Sequence, residues 1–241
     1  MRITLLVVVS LLAVLIILIL LQSVDPKQRD PGENVAVLSY PLSGHPLSLD
    51  SLMEIAGAKK GLPPGFEKAA LVAFSAYPQL RNVQIDMELT QSGAPMESSF
   101  DILTLFGFKE DRVYKIYLND ATNTEFDEIL LRSLPFDAQI GILAHELGHV
   151  AYYHQLSSIE IAKWGLNYLV DEEFRAVHER STDLMPVFHG LGSQILHYAF
   201  YVRNNPNCRD LYMRYRDFID KYYMTDQELE QAMKSHPLYN Q

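Results

Sequence analysis

The run His145-Glu146-Leu147-Gly148-His149 places two imidazoles four residues apart with a carboxylate between them. On an α-helix, positions i and i+4 lie on one face, so both rings can grip one metal ion while Glu146 projects beside them. The chemistry that fits is zinc-assisted hydrolysis. Zinc lowers the pKa of a bound water to roughly 7, and a neighbouring carboxylate takes the proton as that water attacks a carbonyl, then protonates the leaving amine. His145 and His149 are therefore expected metal ligands and Glu146 the expected general base.

A zinc site needs a third protein ligand. A histidine six residues past His149 is excluded, because that position is Gln155, and Tyr152 stands where that pattern places glycine. A downstream carboxylate is the remaining solution. Glu179 and Asp183 lie four apart in Glu179-Arg180-Ser181-Thr182-Asp183. On a helix one can bind metal while the other accepts a hydrogen bond from a ligand imidazole. The thirty residues between His149 and Glu179 leave room for the first helix to end, a loop or helix to cross, and a second helix to present Glu179, the preferred third ligand. Glu172 and Glu173 are rival ligands, although neither has a carboxylate four residues on. His178, adjacent to Glu179, is expected to point elsewhere. His189, His154 and His197 read as ordinary helix, cap or core residues, and Tyr152 and Tyr153 as packing residues.

His145, Glu146, His149, Glu179 and Asp183 together resemble the gluzincin metallopeptidases, which pair H-E-x-x-H with a downstream glutamate followed by an aspartate. The spacing is most similar to the membrane-associated peptidases of the CAAX-protease and HtpX type, with Thr182 where alanine is usual. The resemblance covers about residues 136 to 186. It implies a zincin-like α+β fold, Zn2+ as cofactor, a protein or peptide substrate, and Asp183 orienting a ligand imidazole. Those enzymes also carry a His-Pro element whose histidine helps hold the transition-state oxygen; His236-Pro237 is similar, making His236 the matching residue here.

The elements that must position these residues are partly legible. Ile140, Leu143, Leu147 and Val150 recur at spacings of three and four, a buried helical stripe. The zinc helix is expected from about Asp137, as N-cap, to about Tyr153. Gly148 inside it costs about 1 kcal/mol of helix propensity, which implies close packing there. Earlier helices are expected from Ser48, as cap, and from Phe66 to Tyr77, where Pro78 stops the second. Alternation at Val83, Ile85, Met87 and Leu89, and again over 113–118, predicts two strands. The second lies just ahead of the zinc helix and has two readings: it resembles the sheet edge along which such enzymes lay an extended peptide, or it is a plain structural strand. The aromatic positions between Tyr198 and Tyr223 read as core packing, and Thr225 with Glu228 as the capping box of a last helix ending near Lys234.

From Ile3 to Leu21 the chain is almost wholly Leu, Val and Ile, long enough at 1.5 Å per residue to span roughly 30 Å of bilayer core. Residues 1–22 are expected to be an uncleaved transmembrane signal-anchor, 23–45 a linker and lead-in, and 46–241 the zinc metallopeptidase domain, exposed on the periplasmic or extracellular side. Of 241 residues, 48% are hydrophobic and 21% charged, as for one folded domain behind an anchor. The formal net charge of −10 argues against nucleic acid as a partner. Cys208 is the single cysteine, which excludes an internal disulfide and a cysteine zinc site. Two other readings fit the same motif: a zinc hydrolase of non-peptide amides, and a membrane-tethered binding or scaffold protein with a structural zinc site. Nothing in the sequence sets an oligomeric state.

Overall fold

The computed structural model describes residues 39–40, 47–91 and 93–240. The expected membrane segment and most of the linker lie outside these residues. Among the described residues, no helix is long and apolar enough to cross a membrane.

The fold is α+β, mainly helical with one small sheet. A first helix, α1 (Leu49–Ala56), starts as expected at Ser48, whose side chain accepts from the backbone of Ser51. It leads through a short strand, β1 (Lys60–Gly61), into α2 (Glu67–Ser75). The two alternating stretches are strands β2 (Gln84–Thr90) and β4 (Val113–Asn119), with β3 (Met96–Phe100) between them in sequence. The sheet order is β1-β2-β4-β3, with β2 parallel to β1 and β4, and β3 antiparallel to β4. Of the two readings of β4, substrate edge or plain structural strand, the topology agrees with the second, because β4 is an interior strand. β3 covers it and takes the edge. Its sequence, Met-Glu-Ser-Ser-Phe, has no apolar alternation to announce a strand, and its pairing with β4 is what makes it one.

The motif helix, α3 (Phe136–Gln155), is buried on nearly every side, packed against α2, β3 and two later helices, α5 (Glu172–Phe188) and α6 (Gly192–Asn204). A helix apolar all round belongs in this central position. Its N-cap is Pro135, not Asp137. Asp137 sits inside the first turn instead. There its carboxylate accepts from Tyr40 N (3.0 Å), Ser39 Oγ (2.7 Å) and Gln194 Nε2 (3.0 Å), tying the lead-in chain and α6 to the positive end of α3.

Two glycines set how closely the neighbours approach. A Cβ on Gly148 would stand 3.0 Å from Met185 Cβ and 3.1 Å from Thr182 Cγ2, so this glycine lets α5 reach the motif face, as its cost in helix propensity implied. At Gly141 the contact is backbone: a Cβ would fall 2.2 Å from the carbonyl oxygen of Gln194. Gly141→Val is expected to destabilise the protein by at least about 2–3 kcal/mol through forced separation of α3 and α6, read as a lowered urea midpoint.

The crossing between the two motif segments is a helix, α4 (Ser158–Val170), opened by a Ser157/Glu160 capping box. After α6 come α7 (Arg209–Tyr222) and α8 (Asp226–Ser235), the latter starting at the expected Thr225/Glu228 capping box.

Candidate metal centre

His145 and His149 leave α3 toward α5, where Glu179 meets them, and all three side chains are buried. The Nε2 atoms of the two rings are 3.2 Å apart, and Glu179 Oε2 stands 3.4 Å from each. Three ligand atoms held by one tetrahedral ion at about 2.0–2.1 Å would be separated by about 3.3–3.4 Å. The residues therefore form a buried group able to hold a metal ion.

The outer atoms of each ligand are already engaged. His145 Nδ1 donates to Asp183 Oδ1 at 2.9 Å, leaving its Nε2 as a lone pair. For His149, the neighbouring Thr182 hydroxyl gives its one proton to the carbonyl of His178 (3.0 Å) and can only accept from His149 Nδ1, 3.4 Å away. We therefore assign the ring proton to Nδ1, which donates to His178 Nε2 at 3.1 Å. Tyr168, brought by α4, donates to Glu179 Oε1 at 2.5 Å. Two imidazole lone pairs and a carboxylate oxygen are thus aimed at one point, an arrangement that repels itself unless a cation sits at the focus.

The charge balance points the same way. Burial alone would push the His145 pKa down, but hydrogen bonds to Asp183 and Glu179 outweigh it and hold the ring well above the usual histidine range. Burial would raise the Glu179 carboxyl, yet the neighbouring His149 and His145 hold it well below the usual carboxylate range. The cluster draws positive charge to itself, as a proton or as a metal.

Asp183 ties this centre to the rest of the fold, because its Oδ2 accepts from the backbone N–H of Met224 at 2.7 Å. Asp183→Asn puts an amide that can misorient His145 in place of the carboxylate. It is expected to weaken metal affinity about 10–100-fold, measured by competition with a chromogenic chelator, while the protein stays folded.

Glu146 faces the same space from one residue further along α3. Its carboxyl is buried, and Oε2 has no hydrogen-bond partner among the described residues. Burial raises its pKa, partly offset by the two ligand histidines. The hydroxyl of Ser98, on the edge strand, interacts with both Glu146 and Tyr153. His145, Glu146 and Asp183 form one end of a cavity of about 350 Å³. Its other walls are mainly apolar, from Ile142 on α3, Ile195 and Val202 on α6, and Phe218 and Ile219 on α7, with Pro95 and Met96 at the sheet edge; Arg203 is the charged residue among them. Tyr198, Tyr215 and Tyr223 also line it; Tyr198 and Tyr215 pack against the hydrophobic core as expected, whereas Tyr223 is cavity wall alone. Helical spacing gives both roles the same pattern.

The remaining expectations divide clearly. His178 is a correction: adjacency to Glu179 turns it about 100° around α5, but α3 packs across enough of that face to meet both. Enclosed by Tyr152, Trp164 and Phe174, its pKa is driven down to about 3, chiefly by burial, so it is a neutral acceptor for His149. Tyr168 was not foreseen at all, since only the α4 crossing brings it near. Glu172 is at the surface, paired with Lys221 at 2.5 Å, and Glu173 is exposed in the first turn of α5. His189 is the C-cap of α5, stacked on Tyr77 and hydrogen-bonded to Met185 O and Gln79. His154 faces Tyr114, and His197 lies beside Asp137. His236 is not at the centre: it ends α8 against Phe188 and Tyr239, its Nδ1 accepting from Leu238 N, and takes no part in the cavity wall.

No protein-family model, curated protein or solved structure matches the chain.

Proposed function

We propose that this chain is a membrane-anchored zinc metallopeptidase of gluzincin type. The observation that carries the reading is the convergence of His145 Nε2, His149 Nε2 and Glu179 Oε2 within 3.4 Å beside the unpartnered Oε2 of Glu146. Two imidazoles and one carboxylate at this spacing suit zinc. Zinc bound there supplies a Lewis acid that polarises a carbonyl and makes water a nucleophile near neutral pH.

The residues of the chain supply the rest. Glu146 takes the proton of the attacking water at Oε2 and hands it to the nitrogen of the departing amine. Asp183 and His178 keep the ligand rings in their working tautomers, and Tyr168 fixes which oxygen of Glu179 faces the site. The open edge of β3 can pair with an extended peptide through main-chain hydrogen bonds. The apolar walls of the cavity favour substrates with a large aliphatic or aromatic side chain beside the scissile bond. The apolar run from Ile3 to Leu21 would hold the domain at a membrane, on its outer or periplasmic side.

A structural zinc site has no use for a buried carboxylate with one oxygen left unpartnered, which is costly unless it acts. The test is to purify the full chain in detergent micelles, measure bound metal by mass spectrometry, and incubate it with a mixed peptide library. Stoichiometric zinc, with cleavage that a chelator abolishes and zinc restores, is the expected result. A chain that takes up no zinc overturns the reading.

A further inference from the structure

Attack on a peptide carbonyl puts negative charge on its oxygen, and a fixed donor aimed at that oxygen lowers the barrier. His236, the residue the resemblance offers for this task, lies elsewhere. The cavity wall beside His145 is formed instead by Tyr223, the residue that caps α7.

Tyr223 is held through its backbone. Its carbonyl accepts from Arg180 Nη1 (3.1 Å) and Arg203 Nη2 (3.4 Å), and the N–H of the next residue, Met224, donates to Asp183 Oδ2 (2.7 Å). The other oxygen of Asp183 receives the Nδ1 proton of His145. One carboxylate therefore sets both a metal-ligand ring and the turn that carries Tyr223. The two rings lie 6.0 Å apart, centroid to centroid, inclined at 58°. The phenol is only partly buried, lines the cavity with His145 and Glu146, and its hydroxyl has no hydrogen-bond partner among the described residues.

An ordinary phenol is protonated at neutral pH, so a hydroxyl placed on this wall can donate. Tyr198 on α6 is the competing donor on the same wall.

We propose that Tyr223 is a catalytic residue whose hydroxyl donates a hydrogen bond to the substrate oxygen that becomes negative during attack. This rests on the hydrolase reading above.

The test uses the full chain in detergent micelles, loaded with zinc, as wild type, Tyr223→Phe and Tyr198→Phe. Three quantities are read: bound zinc with the melting temperature, kcat and KM for a cleaved peptide, and the Kd of a phosphonamidate peptide whose tetrahedral oxygens mimic the attacked carbonyl. Tyr223→Phe is expected to keep its zinc and fold. Its kcat should fall about 10²-fold or more with little change in KM, the range for loss of one oxyanion donor. Its phosphonamidate Kd should rise by more than about tenfold while an uncleaved peptide binds as before.

A Tyr223→Phe variant that keeps wild-type kcat and phosphonamidate affinity overturns the proposal, as does the same loss appearing in Tyr198→Phe instead. In either case wild-type cleavage leaves the hydrolase reading standing. If zinc-loaded wild type neither cleaves peptides nor binds the phosphonamidate, the hydrolase reading fails and this proposal falls with it.

Discussion

Replacing Glu179 with alanine is expected to strip the protein of its metal. The substitution removes one of three donor atoms at the focus and leaves Tyr168 without the acceptor that it holds at 2.5 Å. Zinc sites with four protein ligands bind with about 10–16 kcal/mol in total, so one ligand is worth about 3–4 kcal/mol, or on the order of 10²–10³-fold in affinity. Dialysis against a moderate chelator, followed by metal analysis, should leave wild type loaded and Glu179→Ala empty. The Glu172→Ala/Glu173→Ala double variant is the control. It loses a surface ion pair to Lys221 and nothing that faces the site, so its zinc should stay. Retention of zinc by Glu179→Ala together with loss in the double variant would reverse the ligand assignment.

The group able to hold a metal ion was legible because its geometry is local. His145, Glu146 and His149 share one helix whose apolar stripe is visible in sequence, and Glu179 with Asp183 repeat the i, i+4 spacing on another. The capping box at Thr225 and the alternating strands were legible for the same reason: each is a pattern within about ten residues. What escaped depends on how the segments meet. His178 becomes a partner of His149 only because Gly148 lets α5 settle closely on α3, and nothing near residue 178 encodes that approach. Tyr168 reaches Glu179 through the angle of α4, and Tyr223 reaches His145 through a turn clamped by Arg180, Arg203 and Asp183. β3 is a strand by virtue of its partner. The resemblance at His236-Pro237 misled for the converse reason, since a dipeptide carries no information about where the chain has taken it. Asp137 looked like a cap because an acid near a helix start usually is one, but the proline before the helix took that position and freed the carboxylate to bind Tyr40 and Gln194.

Glu146→Gln separates chemistry from structure more sharply than any other substitution. Three carboxylates face the centre. Glu179 spends one oxygen on Tyr168 and the other on the histidines, and Asp183 spends one on His145 and the other on Met224 N. Glu146 Oε2 is the carboxylate oxygen at the centre left without a partner. A buried carboxylate in that state opposes folding, and burial accordingly raises its pKa. Glutamine keeps the shape and removes the charge, so the variant should bind zinc as wild type does and melt at the same temperature or higher. Peptide cleavage should nonetheless fall about 10²–10⁴-fold, the range for loss of a positioned general base. Activity and stability moving in opposite directions is the signature of a group kept for its chemistry. If Glu146→Gln instead melts well below wild type and retains its turnover per folded molecule, Glu146 is a packing residue and the proton must go elsewhere.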